Sequence, residues 1–142
     1  MAKIYAGLLS GLGALPIIPP EAGQGVNAPI RIHRQVITLA SQPTTDTQLI
    51  ARVPNGHLVL GHRVVSSVSL GTSQIAIGTV ATPAKYKAAA VFTAVDTPTD
   101  YLLASIAGGV PLTADEEQIL TVSVAALPAS GTLVIYTYTS KP

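Results

Sequence analysis

The chain has no cysteine and no tryptophan, one methionine and one phenylalanine, and Asp, Glu, Lys and Arg together make up 11% of its 142 residues. Each scarcity excludes something. Without cysteine, disulfides, thiolate metal sites and cysteine nucleophiles all fall away. Small secreted domains commonly rely on disulfide staples, so this one is expected to assemble inside a cell or to be stabilised by oligomerisation. An ordinary soluble domain carries roughly 25% charged residues. A monomer with so little charge would leave apolar surface uncovered, and the simplest expectation is that partners cover part of it.

The formal net charge of +1 is too small for an electrostatic nucleic-acid binder, which needs a basic stripe. The six aromatic residues are not interleaved with bases, which is poor for base stacking. No nucleic-acid partner is expected. The charge is unevenly spread: seven bases and two acids (Glu21, Asp46) lie up to Lys87, and one base (Lys141) against five acids lies beyond it. Opposite-sign regions can orient neighbours in an assembly, or can simply be solvated loops.

No run is long and apolar enough to form a membrane-spanning helix, so no membrane partner is expected. Ile4 to Ile18 follows Lys3 and is apolar, as a signal peptide would be. Pro16 breaks its end, however, Pro19-Pro20 follow, and no small-x-small cleavage pattern stands out. The leader 1–29 is therefore read as an irregular N-terminal arm, retained and ordered. Its glycines and prolines exclude a long helix or strand, yet it carries Tyr5, Leu8, Leu9, Leu12, Ile17 and Ile18. An apolar but irregular segment docks on a partner or on its own domain, and these six residues are the candidate protein-interface residues.

Residues 30–142 read as one β domain, with short apolar-alternating segments separated by turn clusters. Ile30 and Ile32 alternate with Arg31 and His33. The apolar phase then shifts at Val36-Ile37, which predicts a bulge. Gln48 to Val53 is a strand closed by Pro54-Asn55-Gly56. From His57 to Leu70 the residues Leu58, Leu60, His62, Val64, Ser66, Val68 and Leu70 share a face, with Gly61 marking a bend. Gln74 to Val80 follows, with Ile75 and Ile77 on one face, and the two segments are expected to form a hairpin. Residues 84–92 read as a turn or short helix running into a strand. Further strands are expected at Tyr101 to Ile106, at Gln118 to Ala126 (Leu120, Val122 and Val124 on one face) and at Thr132 to Thr139. The last is apolar on both faces, so central or covered on both sides. About eight strands with almost no helical periodicity give an all-β fold, a jelly-roll-like β-sandwich.

The polar residues offer little chemistry. His33, His57 and His62 have no carboxylate at ligand-like spacing, and His57 and His62 point to opposite faces unless a bulge intervenes. They read as surface or satisfied sandwich histidines. Asp115-Glu116-Glu117 is the one carboxylate cluster. Thr113 to Glu116 has the form of a capping box, and a calcium loop would need more oxygen ligands at regular spacing. The glycine-rich leader lacks the lysine of a phosphate loop, and no Gly-x-Ser-x-Gly occurs. No catalytic residue, cofactor or metal is expected.

The order of several segments carries a resemblance. Leu49 to His57 (LIARVPNGH), Val65 to Thr79 (VSSVSLGTSQIAIGT), Lys85-Tyr86-Lys87-Ala88-Ala89, Leu112 to Val122 (LTADEEQILTV) and Ala126 to Leu133 (ALPASGTL) are similar to the strand–turn motifs of phage capsid decoration, or cement, proteins, the Bordetella-phage type in particular. The resemblance spans roughly 30–139 and leaves 1–29 unmatched. It implies a jelly-roll-like sandwich on the outside of an HK97-like shell. Its partners would be the major capsid protein and further copies of itself, a dimer before a trimer, with no catalytic residue to carry over. A different class stays open: a ligand- or host-glycan-binding module of a virion fibre, which would expose aromatics such as Tyr101, Tyr136 and Tyr138.

Overall fold

The computed structural model describes residues 29–102 and 110–141. Eight strands follow one another: β1 (Ile30–Thr38), β2 (Thr47–Val53), β3 (Leu58–Ser66), β4 (Gln74–Gly78), β5 (Lys87–Val91), β6 (Thr99–Leu102), β7 (Glu116–Ser123) and β8 (Thr132–Ser140). They form two antiparallel four-stranded sheets, ordered β1-β8-β3-β6 and β2-β7-β4-β5. The pairs β1/β8, β2/β7, β3/β6 and β4/β5 are all hydrogen-bonded neighbours. A long hairpin folded at β4/β5 and rolled over itself gives this order, which is that of a jelly roll. The expected all-β sandwich of about eight strands is what the described residues form.

The two inner faces meet in a core where Val64, Ile75, Ile77, Leu120, Leu133 and Ile135 have no exposed surface. Leu39, Leu70, Phe92 and Leu127 close one end of it. Near the other end, Ala51, Val53 and Val59 form a smaller cluster with Tyr86 and Leu112 packed on it. β8 is bonded on both sides, by β1 and β3, as its double apolar pattern predicts.

Three expectations need correction. β1 has no bulge: its register with β8 runs unbroken from Ile30↔Ser140 to Thr38↔Thr132. The apolar phase shift arises because Ile37 points inward while Ile30, Ile32 and Val36 point outward and are exposed. Second, the segments 57–70 and 74–80 are not a hairpin, since β3 and β4 lie in different sheets. The link between them crosses the end of the sandwich because Leu70 and Ser73 are buried there. Leu70 N–H donates to the Phe92 carbonyl at 3.0 Å, and Ser73 Oγ donates to the Ala126 carbonyl at 2.6 Å.

Third, Val124 does not share the inward face of Leu120 and Val122. β7 ends at Ser123, and Val124 takes a φ of 71° and points to solvent, 70% exposed. The Thr113–Glu116 segment forms the loop that leads into β7 rather than a helical turn. The Asp115 carboxylate instead accepts the Asn55 N–H at 2.8 Å, tying the β2–β3 turn to the start of β7. Residues 84–86 form a turn rather than a helix. β6 starts at Thr99, two residues before its expected beginning, and the expected continuation to Ile106 lies outside the described residues.

β3 breaks phase where the sequence places a bend. Its pairing with β8 shifts between Val59 and Gly61. Val59 is inward before the shift, and His62, Val64 and Ser66 are inward after it, while Leu60 is left on the outer face. Gly61 has a φ of +150°, and a Cβ there would meet the Tyr101 carbonyl of β6 at 2.8 Å. Only glycine permits that close approach. The shift also settles the two histidines five residues apart: both His57 and His62 are buried.

Candidate interaction surface

β1 alternates across its pleat, so its even-numbered residues look away from the core. Ile30 is 62% exposed, Ile32 59% and Val36 39%. In register beside them on β8 stand Val134, Tyr136 and Tyr138, half-buried. Leu60 on β3 and Leu102 on β6 extend the same face, exposed. A shallow hollow of about 300 Å3 runs between Ile30, Leu60, Arg63, Asp100, Leu102 and Tyr138. The outer face of the β1-β8-β3-β6 sheet is thus an apolar strip spanning four strands.

Its charges are few. Arg63 and Asp100, opposite each other on β3 and β6, form a two-point ion pair at 2.6 and 2.8 Å. That pairing holds the Asp100 carboxyl below its ordinary range and the Arg63 guanidinium above its own. Arg34 lies 6.0 Å from the centre of the Tyr136 ring. Scattered apolar surface residues are ordinary, but a contiguous strip marks an interaction site.

The polar chemistry is inside instead. His62 is 1% exposed, and its Nε2 lies 2.8 Å from Gln118 Oε1. Its ring stands 5.3 Å from that of Tyr86. Gln118 Nε2 donates to Glu116 at 3.2 Å, and Glu116 also accepts from Lys85 and from the Tyr86 hydroxyl. Burial alone would raise the Glu116 carboxyl, but the hydrogen bonds from Lys85, Tyr86 and Gln118 outweigh it and hold it below its ordinary value. Burial and then the Glu116 carboxylate push the Tyr86 phenol up. Lys87, also buried, donates to the Ile75 and Ala88 carbonyls at 2.9 and 3.1 Å. Its Nζ lies 4.8 Å from the centre of the inward-turned Tyr101 ring.

Each member of the 115–117 cluster is engaged: Asp115 with the Asn55 N–H, Glu116 as above, and Glu117 with Arg52 at 2.9 Å. Among the described residues, no group of three or more His, Cys, Asp or Glu is gathered as a metal site would need. The arrangement braces two sheets against each other.

This network makes stability pH-dependent. Burial pulls the His62 pKa below 6.5, and the Gln118 hydrogen bond and the Glu116 charge offset part of that fall. Burial and the nearby Arg31 and Lys141 lower His57 in the same direction. The unfolded chain then binds more protons than the folded one as pH drops, so stability is fully present above about 6.5 and lost progressively below it. Urea midpoints measured from pH 8 to pH 5 are expected to fall through this range, and His62→Gln is expected to flatten the slope. A flat wild-type profile would contradict the buried, neutral assignment.

The candidate interface residues named from the sequence, Tyr5, Leu8, Leu9, Leu12, Ile17 and Ile18, lie outside the described residues. The structure adds a surface that sequence reasoning missed. Its signal was the outward parity of Ile30, Ile32 and Val36, matched by Val134, Tyr136 and Tyr138. Of the three tyrosines considered as exposed aromatics, Tyr136 and Tyr138 stand on this outer face, whereas Tyr101 packs against the core.

No protein-family model matches the chain, and no curated protein matches it in sequence. Solved structures do match in fold. A chain of the cyanophage Pam1 capsid asymmetric unit is 17% identical with a TM-score of 0.63, over 91% of this chain and 96% of that one. A chain of the Ralstonia phage GP4 capsid is 15% identical with a TM-score of 0.59, over 80% and 85%. A chain of the acid-stable capsid of Helicobacter pylori bacteriophage KHP30 is 13% identical with a TM-score of 0.54, over 78% and 86%. The jelly roll built here from eight strands is thus a fold shared, over most of both chains, with chains found in three phage capsids.

Proposed function

We propose that this chain is a structural, non-enzymatic protein of a phage virion: a cement or decoration protein that binds the outside of an HK97-like shell, contacts the major capsid protein and bridges neighbouring capsomers. The observation that carries the reading is the fold shared nearly end to end with a chain of the Pam1 capsid asymmetric unit. Scarce charge and an apolar outer sheet face support it, because both suit a molecule whose surface is covered in an assembly. Each copy would bury modest apolar area, at roughly 25 cal/mol per Å2 before binding costs, and repetition over the lattice would multiply modest contacts. Copies would also contact each other, as a dimer before a trimer. The Bordetella-phage likeness belongs to this reading.

The arm 1–29, with Tyr5, Leu8, Leu9, Leu12, Ile17 and Ile18, would lie on the capsid protein or on a neighbouring copy. Deleting residues 2–25 is expected to leave the sandwich folded, with an unchanged melting transition, and to lower occupancy on shells at least tenfold. Full decoration and unchanged shell stability with the truncated protein would refute the role of the arm.

One observation favours a second reading. Tyr136 and Tyr138 share an outer sheet face with a hollow, as a carbohydrate-binding module of a virion fibre requires. Saturable binding to a glycan array, lost in Tyr136→Ala with Tyr138→Ala, would select that reading over the first.

A further inference from the structure

The four edges of the two sheets are unequally protected. The pairing of β2 shifts register between Leu49 and Ala51, and that of β4 with β5 shifts between Ile75 and Ile77. β5 also turns its one charged residue, Lys87, inward. Bulges and inward-pointing charge are two of the means by which sheet edges avoid pairing with another chain. β1 has neither of these, and its only edge charges are the exposed Arg31 and Arg34. It is nine residues long, its register with β8 is unbroken, and among the described residues no strand pairs with its far side.

The direction of its free groups follows from one hydrogen bond. Leu39 N–H donates to the Gly131 carbonyl at 2.9 Å, continuing the register Ile37↔Leu133. In an antiparallel pair, residues alternate between bonding their partner strand and turning away from it. Leu39 bonds towards β8, so the odd residues back to Arg31 do too. Ile30, Ile32, Arg34, Val36 and Thr38 therefore turn their N–H and C=O groups to the open side, where the Thr38 carbonyl accepts from Gln42 Nε2 at 2.7 Å and the Val36 carbonyl from Gln35 Nε2 at 3.3 Å, while among the described residues no such bond reaches Ile30, Ile32 or Arg34. Their side chains are those of the apolar outer strip, so the free backbone edge and the exposed apolar stripe coincide.

Charge selects what can pair there. β1 contains Arg31, His33 and Arg34 and no acid, and among the described residues neither arginine has a carboxylate partner. A second copy of β1 set antiparallel against the first would oppose cation to cation, which destabilises cross-strand pairs. The leader 1–29 carries Lys3 and Glu21, one charge of each sign, and offers these cations no net complement. We propose that β1 is a strand-addition site for an extended segment of a partner protein in which apolar residues alternate with acidic ones. The segment becomes a fifth strand of the sheet: its apolar side chains extend the stripe of Ile30, Ile32 and Val36, and its carboxylates, which alternate onto the opposite face, meet Arg31. This names the surface of the shell contact proposed above, and it rests on that reading only for who the partner is.

The test needs no shell. The full chain, labelled for amide NMR, is titrated with a ten-residue peptide alternating valine and glutamate, and separately with one alternating valine and lysine. The valine–glutamate peptide is expected to shift the β1 and β8 amides and to slow exchange at Ile32, Arg34 and Val36, with affinity about tenfold above the lysine peptide. Val36→Pro removes an N–H that faces the open side and none that bonds β8, so it is expected to abolish binding while the other cross-strand amides of β8 keep their shifts. Arg31→Glu keeps the strand and is expected to reverse the preference between peptides. If neither peptide perturbs β1, if both bind equally, or if Arg31→Glu leaves the preference unchanged, the strand-addition site is wrong. The shell reading then stands or falls on the deletion of 2–25, which leaves β1 intact.

Discussion

Leu133→Ala is expected to destabilise the sandwich by about 2–5 kcal/mol. Leu133 has no exposed surface and sits on β8 with Ile37 on one side and Ser66 on the other. Its side chain belongs to the core cluster that both sheets share. Because β8 is hydrogen-bonded along both edges, the backbone cannot collapse into the space that alanine leaves, so the cost of a cavity adds to the lost burial. Urea unfolding should show a lower midpoint with an unchanged m-value. A loss below about 1 kcal/mol would mean that the two sheets do not meet at this residue.

Gly78→Ala is expected to cost about 3 kcal/mol or more, the upper range for forcing atoms into a packed site. A Cβ on Gly78 would stand 2.2 Å from the Thr82 carbonyl oxygen and 2.5 Å from the carbonyl carbon and oxygen of Pro83. All three are backbone atoms, so no side chain can swing away. The segment is also held in place: Thr79 N–H donates to the Thr82 carbonyl at 3.0 Å, and Lys85 N–H donates to the same oxygen at 3.1 Å. Relief would require opening the turn that leads β4 into β5. A melting temperature equal to that of wild type would show that this turn does not lie over the end of β4.

Strand positions were legible in the sequence where one face alone is apolar. Ile75 and Ile77, or Leu120 and Val122, fall two apart and are buried together, because a two-residue period admits one inward face. The double apolar pattern of β8 correctly marked a central strand. The same logic misread β1, where apolar residues occupy the outward parity and only Ile37 and the following Leu39 point in. A local pattern cannot distinguish a bulge from a strand that is apolar towards a partner. The link between β3 and β4 misled for a related reason. Leu70-Gly71-Thr72-Ser73 has the composition of a turn, and only the non-local burial of Leu70 against Phe92 shows that it crosses between sheets.

The interaction surface was half legible. The scarcity of charge said that some surface should be covered. Which face is apolar depends on the outward parity of β1 and on Tyr136, Tyr138, Leu60 and Leu102 arriving from three other strands. That gathering is a product of the rolled topology, in which β1 and β8, nearly a hundred residues apart, become neighbours. The buried network of His62, Gln118, Glu116 and Tyr86 has the same origin, which is why separate histidines and acids carried no spacing signal.

The central claim is that this chain is a stoichiometric part of a phage shell, and purified particles test it most directly. Intact particles sedimented through a density gradient and analysed by quantitative mass spectrometry should contain this chain in a fixed ratio to the major capsid subunit, the same from one preparation to the next. Its absence from the particles, or a ratio that drifts with washing while the shell stays intact, would contradict the account.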